Sequence, residues 1–193
     1  ALVHAIGRFS GDDPPLASWS LTSYHTVVDG EDVSVELEAP GGIWFDRVVD
    51  REVWAPPLVT TGSGVYSVAS GMGPGDHQVS LVRRVEGFLG DAGLVRFIPG
   101  AGAALKESPP PYTRLIEFVG DSITAGYGVE GADQYCGFTA ATENANLTYA
   151  AVAARDLDAG AVLVAYSGKG VVQNYGGDTN ELMPALYRRT LTN

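Results

Sequence analysis

From the first residue to about residue 104, apolar and polar positions alternate in short runs cut by glycine, proline and aspartate. A period of two marks strands that bury one face. The pattern predicts strands over 2–9, 20–28, 33–37, 43–49, 65–69, 78–85 and 94–98, with turn clusters such as GDDPP, VDGED, APGG, GPGD and GDAG between them. No helical spacing competes in this region, so the expected architecture is an antiparallel β-sandwich. The segment KESPPPY at 106–112 then reads as a stiff, extended connector, because three successive prolines hold polyproline geometry. The expected organisation is a sandwich domain at 1–104, a proline-rich linker at 105–112 and a second domain at 113–193.

Beyond Thr113 the rhythm changes. Leu115, Ile116, Phe118 and Val119 form an apolar run that predicts a buried strand, and Gly120, Asp121 and Ser122 end it abruptly. TYAAVAARDL at 148–157 carries helix formers with apolar positions at helical spacing. AVLVAY at 161–166 is continuously apolar, as expected of a parallel strand covered on both faces, and SGKG closes it. NELMPALYRR at 180–189 predicts a helix with Pro184 in its first turn. The order βαβα begins a doubly wound α/β sheet.

This placement puts the Ser122 hydroxyl at the carboxyl end of a strand, where open α/β sheets carry their chemistry. A serine becomes a useful nucleophile only with a base for its proton and donors for the developing oxyanion. The Ser122 backbone N–H is one candidate donor. Parallel neighbours bring their carboxyl ends together, so the Gly168 N–H in the SGKG turn is the second. The plainer reading of both stretches is a pair of polar turns that need glycine for geometry alone. Asp121 points away from its neighbour and reads as a structural carboxylate for turn amides. Lys169, Asn174 and Tyr175, in or near a glycine-rich loop, are substrate-cleft candidates, with a solvated lysine and an ordinary surface loop as the alternative. The histidines His4, His25 and His77 all lie in the sandwich region and read as sheet or surface residues. The serine therefore lacks a base in this sequence.

Composition narrows the partners. A net charge of −11 and a pI of about 4.5 oppose nucleic acid or an anionic membrane surface, and a neutral polysaccharide fits better. Apolar runs of about 18 residues are missing, so no membrane-spanning helix is expected. Cys136 stands alone, which excludes an intrachain disulfide and leaves a packed thiol or a bridge to another chain. Histidines and carboxylates do not cluster at ligand spacing, so neither a metal nor another cofactor is expected. The Ala1 start suits a mature secreted chain or a trimmed one, and an extracellular location is expected. Asn146, Leu147 and Thr148 form a glycosylation acceptor triplet, unless Asn146 caps the following helix. Trp19, Trp44, Trp54, Tyr24 and Tyr66 could stack on sugar rings, although core packing explains them more simply.

Several ordered stretches bear on family: GRF near the start, ASWS around Trp19, VVDGEDVSVEL, VYSVASGMGPGDHQVSLVRR, IEFVGDSITAGYG, FTAATEN, TYAAVAARDL, AYSGKGVVQNYGG and MPALYRRT. Together they resemble carbohydrate esterase family 2, deacetylases of the acetyl xylan esterase kind with a jelly-roll domain preceding an SGNH (GDSL) hydrolase domain. Gly120, Asp121, Ser122, Ile123 and Thr124 look like block I of that superfamily. The resemblance implies Ser122 as nucleophile, Gly168 rather than Gly170 as block II oxyanion donor, and deacetylation of a xylan- or glucomannan-like polysaccharide through an acyl-enzyme. It also implies a three-layer α/β/α domain that is incomplete here. The family's GxND-like asparagine and DxxH-like histidine blocks do not occur in this sequence. Two strands with their helices cannot bury both faces of a doubly wound core, so a second chain carrying the rest of the domain is expected, or else the sequence is truncated. The competing expectation is a lectin-like carbohydrate-binding protein on the same scaffold, towards which the missing histidine block points.

Overall fold

The structure, a computed structural model, describes residues 1–192; Asn193, the last position of the expected second domain, lies outside the described residues. In chain order the strands are β1 (Val3–Ile6), β2 (Leu16–Ala17), β3 (Ser23–Asp29), β4 (Val33–Glu38), β5 (Gly41–Val49), β6 (Glu52–Thr61), β7 (Gly64–Ala69), β8 (Asp76–Arg83), β9 (Ala92–Pro99) and β10 (Ala104–Lys106). They form two antiparallel sheets. One runs β1, β3, β8, β5, β6 with β10 also beside β3, and the other runs β2, β9, β4, β7. Alternation sends Val33, Val35 and Leu37 of β4 inward, where they join Val28, Val79 and Leu81 of the opposite sheet in one core. Each such side chain contributes about 1.5–3 kcal/mol by leaving water.

Three strands escape the sequence pattern. β6 carries Pro56 and Pro57, yet it is the outermost strand of its sheet, where a missing N–H costs no ladder bond. β2 and β10 are too short for any period to show. The pairing of β10 with β3 draws Leu105 and Lys106, expected in the linker, into the sheet. Just beyond, the Ser108 carbonyl accepts hydrogen bonds from the Ala1 ammonium at 3.3 Å and from His4 Nε2 at 2.8 Å. The proline segment is therefore tied at its start to the sandwich.

The rest is built on β11 (Leu115–Gly120), α1 (Ser122–Ala125), α2 (Tyr149–Asp156), β12 (Gly160–Ala165) and α3 (Met183–Leu186). β11 and β12 pair in parallel, from Leu115 opposite Gly160 to Gly120 opposite Ala165. Only β12 is a well-buried strand. Leu115 and Val119 of β11 are 61% and 47% exposed, because with Glu117 they lie on a face of the strand that is left largely uncovered among the described residues. The expected buried strand is thus half-open. The helix expected over 180–189 shrinks to α3, since Glu181 has a left-handed φ of +50° that helical geometry excludes, while Pro184 does lie in the first turn.

The two parts share cores. Leu21 and Val82 of the sandwich pack with Ala145, Ala150, Ala151 and Leu163, and Trp19 is sealed among Val164, Met183 and Leu186. Asn146 does not cap α2; Thr148 stands at the cap position. Instead the Asn146 amide donates to Asp46 Oδ2 at 3.0 Å and accepts from the Arg155 guanidinium at 2.9 Å, which ties the sandwich to α2.

Candidate functional site

The site grows from the shared carboxyl end of β11 and β12, where the Tyr166 N–H donates to the Gly120 carbonyl at 3.2 Å. After Gly120 the chain folds back sharply, and a Cβ there would lie 2.0 Å from Thr124 Oγ1. Asp121 caps α1, its Oδ1 accepting the Ile123 N–H at 3.0 Å, so it serves the turn as expected. α1 closes at Gly126 with φ +89°, and the N–H groups of Gly126 and Tyr127 both donate to the Ser122 carbonyl at 3.0 Å. Ser122 is half-buried at the first helical position, so its N–H has no intrahelical acceptor. Its hydroxyl has no hydrogen-bond partner among the described residues.

Across from it runs the turn Ser167–Gly170. Gly168 adopts φ +79°, its carbonyl accepts the Tyr175 N–H at 2.8 Å, and among the described residues its own N–H donates to nothing. Gly170 is packed tighter, since a Cβ there would meet the Gln173 carbonyl oxygen at 2.0 Å. Buried Asn174 shapes the loop: its Oδ1 accepts the Gly170 N–H at 3.1 Å, and its amide donates to Asp178 at 3.0 Å and to the Asn180 carbonyl at 2.7 Å. Lys169 reaches Glu181 at 3.4 Å, and Tyr175 is 93% exposed beside the turn.

Ser167 is held by a residue that sequence reasoning missed. Glu86, fully buried just after β8, accepts the Ser167 N–H on Oε2 at 2.5 Å and the Ser167 hydroxyl on Oε1. The Glu86 N–H in turn donates to Glu143 Oε2 at 3.3 Å. Burial raises the pKa of both carboxyls, and the charge of Glu86 adds to the effect on Glu143, which is pushed up to about 9. At neutral pH Glu143 is the protonated member. Buried Arg83 completes the base of the site, donating to the carbonyls of Ala17, Val85, Glu86 and Gly90 at 2.6–3.1 Å. The signal in the sequence was RRVEGF, charges set into the end of an apolar strand.

Aromatic side chains rim the same end. Phe88 stands 5.3 Å from Phe138 and 6.1 Å from Tyr166, and Phe138 is 5.0 Å from Tyr127. By contrast Trp19 and Tyr24 are buried, and Trp44, Trp54 and Tyr66 pack against the sandwich core. None of the histidines contacts Ser122. His4 bonds Ser108, and His77 pairs with Asp50 at 2.7 Å, which raises its pKa. His25 is held between the hydroxyls of Ser23 and Ser80, and burial pushes it down to about 4. It lines a cleft of about 510 Å³ with Tyr112 and Gly160, at the opposite end of β11 and β12 from Ser122. Cys136 is exposed, and no group of three potential metal ligands occurs among the described residues. No helix among the described residues is long and apolar enough to cross a membrane.

Comparison with known proteins adds to this geometry. The family described as carbohydrate esterase 2 N-terminal matches residues 5–109. The chain is 37% identical over 187 residues to cellulase/esterase CelE of Acetivibrio thermocellus, a match covering 96% of this chain and 23% of that protein. It is 28% identical over 200 residues to an acetylxylan esterase / glucomannan deacetylase of Cellvibrio japonicus, covering 99% of this chain and 54% of that one. Among solved structures, a family two carbohydrate esterase from Clostridium thermocellum in complex with cellohexaose superposes with a TM-score of 0.92 at 36% identity, covering 98% of this chain and 59% of that chain. The chain thus spans about half the length, or less, of these curated relatives.

Proposed function

This chain belongs to carbohydrate esterase family 2, and we propose that it carries the nucleophile half of a serine esterase that deacetylates plant-type polysaccharide of the xylan or glucomannan kind. The observation that carries this reading is the juxtaposition of Ser122, with an unengaged hydroxyl and first-turn N–H, and the unpartnered Gly168 N–H at one end of paired strands. The Ser122 oxygen attacks the acetyl carbonyl, and its proton passes to a base. The oxyanion accepts the N–H groups of Ser122 and Gly168, the sugar hydroxyl leaves with a proton, and water then releases acetate from the acyl-enzyme.

His4, His25 and His77 are each engaged in or beside the sandwich, so the base and a third oxyanion donor, an asparagine, come from outside residues 1–193. The rest of the SGNH domain, carried by a second chain or by a longer form of this one, is their proposed source. The open edge of β11 and the exposed Leu115, Val119, Val171 and Val172 support a completing segment against that edge. In the same reading the sandwich is a jelly roll. The nested pairings of β3 with β10, β4 with β9 and β5 with β8 support it, and they extend it slightly past residue 104 into the 105–112 linker, ahead of the 113–193 unit. A polymeric substrate implies secretion.

The test is release of acetate from acetylated xylan and glucomannan, and from a chromogenic acetate ester, by the complete protein. Ser122→Ala should lower the rate at least about 10³-fold. Activity that survives Ser122→Ala, or an inactive wild-type protein, overturns the reading. The second reading, glycan binding without turnover, is favoured by the 93% exposed Tyr175 ring beside Gly168. It predicts glycan affinity that survives Ser122→Ala together with no ester cleavage in either protein.

A further inference from the structure

We propose that Glu86 of the sandwich, backed by Glu143, is a positioning residue for the oxyanion donor, holding the Ser167–Gly168 turn so that the Gly168 N–H faces the substrate carbonyl. The inference rests on the reading of Gly168 as a donor.

Its geometry is a two-point clamp. One carboxylate takes both the N–H and the hydroxyl of Ser167, which fixes that residue's backbone nitrogen and its Cα–Cβ direction at once. The only free dihedral before the next amide is then the Ser167 ψ. On the far side of that amide, the Gly168 carbonyl is held by the Tyr175 N–H at 2.8 Å. The plane carrying the Gly168 N–H is therefore bracketed from both ends, while the N–H itself stays unengaged.

The clamp is itself immobile. Glu86 has no exposed surface, its N–H is held by Glu143, and its carbonyl accepts from Arg83 at 3.0 Å. The charged and titratable groups that face it are Glu143 from the loop before α2, Asp121 at the start of α1, Tyr166 at the end of β12 and Arg83 of β8. Burying a carboxylate among acidic neighbours is costly unless donors surround it. The two donors on Ser167 supply them, and protonation of Glu143 removes a competing charge. Glutamine can keep both contacts only as a neutral pair, its oxygen accepting the Ser167 N–H and its amide donating to the hydroxyl, so it loses the charge-assisted strength of the clamp.

The experiment measures kcat and KM for a chromogenic acetate together with amide hydrogen exchange of residues 166–175, in the complete wild-type protein, Glu86→Gln and Ser167→Ala. Glu86→Gln should lower kcat about 10- to 100-fold, part of the loss seen when an oxyanion donor is removed, with KM changed less than about twofold. Exchange in 166–175 should quicken about tenfold while the sandwich strands stay protected. Ser167→Ala removes one of the two bonds at a half-buried site, so it tests the clamp even if Glu86→Gln fails to fold, and should give a smaller effect of the same kind. Unchanged exchange in the turn, or a raised KM at constant kcat, overturns the proposal. No ester cleavage by the wild-type protein overturns the esterase reading and with it the donor role; exchange then reports the clamp alone.

Discussion

Gly126 and Asn144 are locked backbone to backbone: the Asn144 N–H donates to the Gly126 carbonyl at 3.1 Å, and a Cβ on Gly126 would lie 2.5 Å from the Asn144 carbonyl carbon and oxygen. The lock joins the turn that presents Ser122 to the loop that carries Glu143. No flexible side chain is available to yield, and the φ of +89° at Gly126 already disfavours any other residue.

Gly126→Ala should therefore cost at least about 2 kcal/mol through overpacking and strain. A fall in the urea midpoint with an unchanged slope would report it. A variant as stable as wild type would show that the turn can open.

Trp19 is the bolt between the sandwich and the α/β part, 1% exposed among Val164, Met183 and Leu186. Trp19→Ala should cost about 3–5 kcal/mol. The same contacts predict that wild-type unfolding is followed as one transition by tryptophan fluorescence and by far-UV circular dichroism. Separate transitions would mean that the two parts are only loosely coupled.

His25 makes stability depend on acid. Its pKa falls from 6.5 to about 4 on folding, chiefly by burial and then by the nearby His4, so below 6.5 the unfolded chain binds a proton that the native state refuses. Stability present above pH 6.5 is lost as the pH falls towards 4. At about 1.4 kcal/mol per pH unit the full loss is about 3 kcal/mol. The stability difference between pH 7 and pH 4.5 should shrink by about 2.5 kcal/mol in His25→Gln; an unchanged difference would assign the acid limb to carboxylates instead.

Glu143 acts at the other end of the scale. Its native pKa is raised to about 9 from 4.5, so between those values the native state keeps a proton that the unfolded chain releases, and stability declines as pH rises. Glu143→Gln keeps an acceptor for the Glu86 N–H and cannot titrate. The variant should exceed wild type in stability by at least about 1 kcal/mol at pH 8, with the gap closing towards pH 4.5. Equal stability at pH 8 by chemical denaturation would contradict a proton retained by Glu143 in the native state.

Local pattern made much of this molecule legible. The alternation around Val33, Val35 and Leu37 marks a strand with one buried face, and the apolar runs ending at Gly120 and Tyr166 mark two strands whose turns carry candidate donors. β6, with its two prolines, is missing from the predicted strands, although at the edge of a sheet prolines are harmless. The run from Leu115 to Val119 reads as buried, although whether an apolar residue is covered depends on a neighbour that its own sequence does not contain.

Ser122, its glycine turn and the parallel strands beneath it follow from the order of residues alone, because strand period, helix spacing and turn chemistry act over a few positions. The hold on Gly168 does not. Glu86 meets Ser167 across 81 positions, and the pair exists only because packing the α/β part on the sandwich expels water around both. A buried charge takes whatever donors the fold brings to it, so its partner, its proton and its influence on the site were decided by the tertiary structure.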